Sequence, residues 1–375
     1  MSIGKAATKH RSRRRNAQEY LVDDNAMTQR YENLQALRAA ATMAVVLANL
    51  YPIEWTYFGT QWIPRMITRL ESAAFDLLFV LSGFVVTVRY GRSSGGARIA
   101  TRFLLRRAIR IYPLYWLAMA VALLQSGATP RALIEAAPHA SLLSQLGLLP
   151  AAFNCADDWL LAQMRALSVG LYCYVVFALL LAIMGGRRLV VGLLVWTSVI
   201  YLGRLLADID ERWPALFFGF AALEFIGGAF AAKAMEDEVS SIPAIFALLA
   251  GMLFVATPWT LGLGSWQQTL HARDSLCFAI IGILAVWCLA SLERIVGIKV
   301  PRCLSALGDA SYPMWLFHVA VGSGTATLLT RIVDPARLHG LGITACIATV
   351  LLIGCLFHRL IERPLLARRP RAGDA

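Results

Sequence analysis

The chain has 375 residues, of which 58% are hydrophobic and only 15% charged. A water-soluble domain carries about 25% charged residues, so this composition excludes a soluble globule. The formal net charge of +12 would suit a nucleic-acid partner, but the Lys and Arg residues gather at the termini and in alternate turns between apolar runs. That asymmetry is the one the positive-inside rule predicts for a membrane protein, and it leaves nucleic acid without support as a partner.

Apolar runs of bilayer-crossing length recur along the chain. They predict an all-α, polytopic membrane helix bundle of about ten transmembrane helices, near 34–51, 72–89, 110–125, 166–184, 189–206, 214–233, 242–260, 274–292, 312–330 and 341–358. Basic residues at both ends of the chain favour an even number of spans with both termini cytoplasmic. The seven cysteines are scattered, without a CxxC or a Cys/His cluster, so neither a metal site nor a disulfide framework is expected.

Residues 1–33 carry Lys5, Lys9, Arg11, Arg13, Arg14 and Arg15 with no apolar segment behind them. They read as a disordered basic cytoplasmic arm that anchors to anionic lipids, not as a signal peptide. Arg38 opens the first span, and Asn49 follows eleven residues later. On a helix that spacing returns to nearly the same face, about 16 Å deeper. A polar side chain there is a functional candidate, or else an amide bonded to a neighbouring helix. The external segment 52–71 holds Trp55, Tyr57, Trp62 and Glu71, whose aromatics suit an interfacial belt or, alternatively, sugar stacking.

Asp76 lies inside the second span and Glu224 inside the sixth. Carboxyl groups in lipid pair, protonate or line a wet cavity, and Arg65, Arg69, Arg165 and Arg204 are available as partners. Ser82-Gly83 lets helices approach closely. An arginine-dense turn follows, in which Arg98 and Arg102 lead to Arg106, Arg107 and Arg110. Pairs three and four apart share a helix face, and paired guanidinium groups suit phosphates. The same residues also satisfy a purely topological role as arginines snorkelling from a helix end. In the long external segment 125–165, residues 131–150 have the pattern of an interfacial amphipathic helix. His318, early in the ninth span, is either a proton carrier or a hydrogen-bonded packing element. Residues 365–375 form a basic cytoplasmic tail after a membrane domain spanning 34–364.

Taken together, Leu37-Arg38-Ala39, Phe75–Phe84, Phe103–Trp116, Leu223–Gly228, Leu307–His318 and Ile361-Glu-Arg-Pro364 resemble the acyltransferase-3 family of integral membrane acyltransferases. The resemblance runs from Asn33 to Arg369 and is nearest the branch that modifies exopolysaccharides. It implies a protein of the bacterial inner membrane that takes an acyl group, usually acetyl, from cytoplasmic acyl-CoA as co-substrate. The acceptor it implies is a hydroxyl of a lipid-linked or surface glycan. Arg38, Arg106, Arg107 and Arg110 would bind the CoA end. The resemblance also implies a histidine at position 49, a tryptophan at 165 and a glutamate at 170, where this chain has Asn49, Arg165 and Gly170. Asn49 itself, His318, Asp76 and Glu224 are the candidate catalytic residues, with Glu71 as a further possible base. The alternative is a catalytically inactive relative serving as a partner or export component in polysaccharide biosynthesis. An unrelated solute transporter is disfavoured, because no inverted repeat is evident.

Overall fold

The computed structural model describes residues 31–127, 145–149, 163–206, 217–236, 271–297 and 300–367. Every regular element among them is helical. In chain order these are α1 (Glu32–Phe58), α2 (Ile67–Tyr90), α3 (Ala97–Ser126), α4 (Met164–Met184), a 3-10 turn at Gly186–Arg188, and α5 (Leu189–Leu206). Then come α6 (Phe220–Glu236), α7 (His271–Val296), α8 (Arg302–Asp309), α9 (Ser311–Ile332) and α10 (Pro335–Phe357), closed by a π-helical turn at His358–Glu362 and α11 (Arg363–Ala367).

Six of these helices are long and apolar enough to cross a membrane: Glu32–Phe58, Leu70–Tyr90, Ala97–Gln125, Met164–Met184, Phe278–Val296 and Gly340–Leu366. They correspond to six of the ten expected spans. Three further helices, α5, α6 and α9, stand where spans were expected. Helix α5 is apolar but shorter, α6 has 17 residues, and α9 carries a run of Ser, Thr, Gly and His. The expected span at 242–260, the basic arm, the tail beyond 367 and the interfacial segment 131–144 lie outside the described residues.

Small residues set the helix spacing. At the crossing of α2 and α6, a Cβ on Gly83 would sit 1.9 Å from the Phe225 carbonyl oxygen, and one on Gly228 would sit 1.9 Å from that of Val80. The backbones are therefore in contact, as small residues allow between membrane helices. The turns α2–α3 and α4–α5 lock together at one end of the bundle. Gly186 N–H donates to Ser93 O at 3.0 Å and Gly96 N–H to Leu181 O at 3.1 Å. Gly95 (φ +76°) and Gly185 (φ +69°) adopt left-handed conformations there, and a Cβ on Gly95 would strike the Gly185 Cα at 2.3 Å. This lock anchors the start of the arginine-bearing helix α3.

Two carboxylates fix the ends of α1. Glu293 of α7 accepts the backbone N–H groups of Glu32 (2.5 Å) and Asn33 (3.1 Å), supplying the N-terminal cap that α1 lacks locally. Glu54, fully buried, accepts from the Thr60 hydroxyl (2.9 Å) and the N–H groups of Trp62 (2.6 Å) and Ile63 (2.9 Å). The turn is consequently tighter than the sequence pattern predicts. Helix α1 runs on to Phe58 and α2 starts at Ile67, so Glu71 sits on a helix and not in a loop.

Candidate functional site

Three guanidinium groups converge at the basic end of the bundle. Arg38 comes from the second turn of α1, and Arg107 and Arg110 from one face of α3. Each lies in the electrostatic field of the other two. They are held in different ways. Arg110 Nε donates to Glu362 Oε1 at 2.9 Å, and Glu362 is only 2% exposed. The other carboxylate oxygen accepts from His358 Nδ1 at 2.8 Å. The π-helical turn widens the chain locally at this acid, a distortion common at functional positions. Arg107 instead lies over aromatic faces, with Cζ 4.7 Å from the Tyr174 ring and 5.6 Å from the Phe103 ring. Arg38 has Asp309 and Tyr174 within its field. Among the described residues the three cations thus outnumber the two carboxylates beside them, Asp309 and Glu362.

Tyr174 is common to all three arginines. Tyr312 flanks Arg110 and donates its hydroxyl to Ile111 O at 2.9 Å. Pro113, inside α3, removes one backbone donor a turn above Arg110. One turn from Tyr174 on α4, a Cβ on Gly170 would meet no atom within 4 Å, so the chain leaves open space at that position.

A second polar level lies deeper. Asn49 Nδ2 donates to Glu71 Oε1 at 2.6 Å and to Val45 O at 3.0 Å. Helices α1 and α9 run side by side in the same direction. Gly308 abuts Gln35, Gly322 abuts Leu50, and the Thr327 hydroxyl bonds to that of Tyr57 at 3.3 Å. His318, one turn before Gly322, is therefore level with Val46 in the fourth turn of α1. On α2, Phe75 meets Trp315 edge to face at 6.2 Å, and Glu71 stands one turn further along. Asn49 and Glu71 thus share a level about 16 Å from Arg38 along α1, with His318 about one turn nearer the arginines.

His318 is 1% exposed, and its Nδ1 lies 2.6 Å from Trp315 O. A carbonyl can only accept, so Nδ1 carries the proton and Nε2 keeps a bare lone pair. Among the described residues, neither His318 Nε2 nor the Trp315 Nε1–H has a bonding partner.

Asp76 and Glu224 are buried and face each other across the α2–α6 contact. Among the described residues neither acid pairs with an arginine, and the Arg69 side chain lies outside them. Arg204 donates to Phe218 O at 2.9 Å and stacks 4.1 Å from the Phe220 ring, while Arg65 and Arg165 are exposed. Arg106 also diverges from the cluster, since its Nη1 donates to the Tyr90 hydroxyl at 3.4 Å.

Of the residues expected from sequence, Arg38, Arg107 and Arg110 come together at one level, and Asn49 and His318 lie deeper, about one turn apart. Asp76 and Glu224 form their own pair. Tyr174, Tyr312 and Glu362 were not anticipated as site residues. The available signal for Glu362 was an acid four residues after His358 in a basic segment, poised for an i, i+4 contact.

A family model described as an acyltransferase domain matches residues 31–359. The chain is also 31% identical over 324 residues to "Exopolysaccharide production protein ExoZ" of Rhizobium meliloti (strain 1021), covering 82% of this chain and 94% of that protein. No solved structure matches.

Proposed function

Because the chain belongs to the acyltransferase-3 family, we propose that it is a bacterial inner-membrane O-acyltransferase. It takes an acyl group, acetyl in the first instance, from acyl-CoA at the basic, cytoplasmic end of the bundle. It delivers that group to a hydroxyl of a lipid-linked or surface glycan at the opposite end. The observation that carries this reading is the convergence of Arg38, Arg107 and Arg110 with fewer carboxylates than cations around them. Such a cluster needs an anion, and the phosphates of CoA supply pairs of oxygens that the planar guanidinium fork can hold in bidentate fashion.

The interval above the cluster fits the rest of the donor. Pantetheine is a thin chain with two amides, and the unpartnered Trp315 Nε1 and His318 Nε2 offer a buried donor and acceptor along that interval. The open space at Gly170 leaves room beside Tyr174. Anionic lipids would surround the basic end. The name of the relative from Rhizobium meliloti supports a polysaccharide acceptor.

Calorimetric titration of the detergent-solubilised protein with CoA tests the reading. Binding is expected, weakened about tenfold or more by Arg107→Ala or Arg38→Ala, since charge-assisted bonds contribute about 1.5–3 kcal/mol each. No heat of binding overturns it. The amide at position 49, which has no titratable nitrogen, favours one second reading, a catalytically silent component of polysaccharide export. That protein would release no thiol from acetyl-CoA in membranes containing the native acceptor.

A further inference from the structure

We propose that Glu71 is the general base of the acyl transfer and that Asn49 is its positioning residue; this rests on the acyl-transfer reading above. The 2.6 Å and 3.0 Å contacts of Asn49 Nδ2 go to a carboxylate oxygen and a backbone carbonyl. Both partners are acceptors, so the amide orientation is unambiguous, because a flipped Oδ1 would face two acceptors. Val45 O, one turn below on α1, holds the amide, and the amide in turn holds Glu71 Oε1. Among the described residues nothing bonds to Glu71 Oε2, which is left with free lone pairs.

Two polar groups at or near this level could take a proton, and their surroundings differ. His318 is sealed in the core at 1% exposure. Glu71 is partly exposed, in the second turn of α2 and close to the loop that Glu54 folds over the outer end of the bundle. A hydroxyl arriving from that end meets Glu71 first. A thioester carried up from the arginine cluster meets the same level from below.

The step balances without a further reactant. The acceptor hydroxyl oxygen attacks the thioester carbonyl carbon as its proton passes to Glu71 Oε2. The C–S bond then breaks, the ester is released, and the CoA thiolate leaves with the proton returned by Glu71. Asn49 donates to Oε1 throughout and keeps Oε2 aimed at the acceptor. A positioned base contributes about 10²–10⁴-fold to such a step.

The test uses membranes of the strain that encodes the chain, in which the native acceptor is present. Labelled acetyl-CoA is the probe, and transfer of label into the polymer fraction is measured. Glu71→Gln keeps an oxygen for the Asn49 amide and is expected to lower the transfer rate at least about a hundredfold. CoA affinity measured on the purified variant should stay within about twofold, since Glu71 is remote from the arginine cluster. Glu71→Asp, which retains a base one methylene short, should keep a measurable fraction of the rate. Asn49→Ala should lower turnover and leave CoA affinity unchanged. Transfer at the unsubstituted rate by Glu71→Gln overturns the assignment while leaving the acyltransferase reading intact. Failure of the unsubstituted protein to bind CoA overturns both.

Discussion

Arg107 and Arg110 stand one turn apart on α3, yet one is fixed by aromatic rings and the other by a buried acid. Substitution should separate these two modes. Lys at 107 keeps the charge but loses the flat guanidinium face over Tyr174 and the bidentate fork. Charge-assisted bidentate bonds to phosphate contribute about 1.5–3 kcal/mol, so Arg107→Lys should weaken CoA binding about tenfold in calorimetry, while loss of the flat stacking on Tyr174, about 0.5–2 kcal/mol at most, lowers the melting temperature only slightly. Glu362→Ala acts in the opposite direction. It leaves Arg110 without its carboxylate in an apolar setting, which costs about 3 kcal/mol for a buried pair. The melting temperature in detergent should fall, and added CoA should recover more of it in the variant than in the unsubstituted protein, because the ligand's phosphates replace the lost acid.

At this scale the sequence was legible where chemistry follows from spacing. Residues 107 and 110 share a face by arithmetic, and Arg38 and Asn49 align by the same count. Contacts between distant segments were not legible. Glu362 reaches Arg110 across the whole chain, and no local pattern announces that a π-helical turn will present it. The sequence pattern places Glu71 in a loop, because it does not reveal the tight turn that Glu54 folds. Asp76 and Glu224 each called for a cation, and only the approach of α2 to α6 shows that each is the other's partner.

Among the elements, that approach constrains the bundle most. Gly83 and Gly228 bring two backbones together, and Lys233 Nζ closes the same pair lower down by donating to Gly91 O at 2.7 Å. The helices therefore run in the same direction, with the carboxyl pair and the glycines along one seam. Any side chain at 83 must displace backbone, not a flexible side-chain tip. Overpacking a core usually costs about 1–3 kcal/mol, and a clash with a carbonyl belongs at the upper end of that range. Gly83→Leu should lower the melting temperature and the yield of monodisperse protein, while Ser82→Ala, next to it, should not. Helix existence was readable from apolar runs, as the six long spans show. The weaker spans were less so, because the second half of α9 is rich in Gly, Ser and Thr and the helix relies more on its packing against α1 and α10 than on hydropathy.

For the molecule as a whole, what matters is that its two polar levels lie at different depths and differ in charge. The level of Arg38, Arg107 and Arg110 is cationic, and the level of Asn49 and Glu71 is anionic and near the opposite end. A nucleotide with several phosphates is attracted to the first and repelled from the second, so donor and acceptor are expected to enter from opposite faces. In vesicles of defined orientation, acetyl-CoA should support transfer only when supplied on the face carrying the α2–α3 and α4–α5 turns. Raising the salt concentration should weaken its binding, as it does for partly exposed charge pairs. Equal rates from both faces would mean that the donor does not use the arginine cluster. The separation also accounts for the division of labour between the levels. Substitutions at Arg38 or Arg107 should act through donor affinity, those at Glu71 or Asn49 through turnover, and a double substitution drawn from the two levels should show nearly additive losses, because about 16 Å of helix separates them.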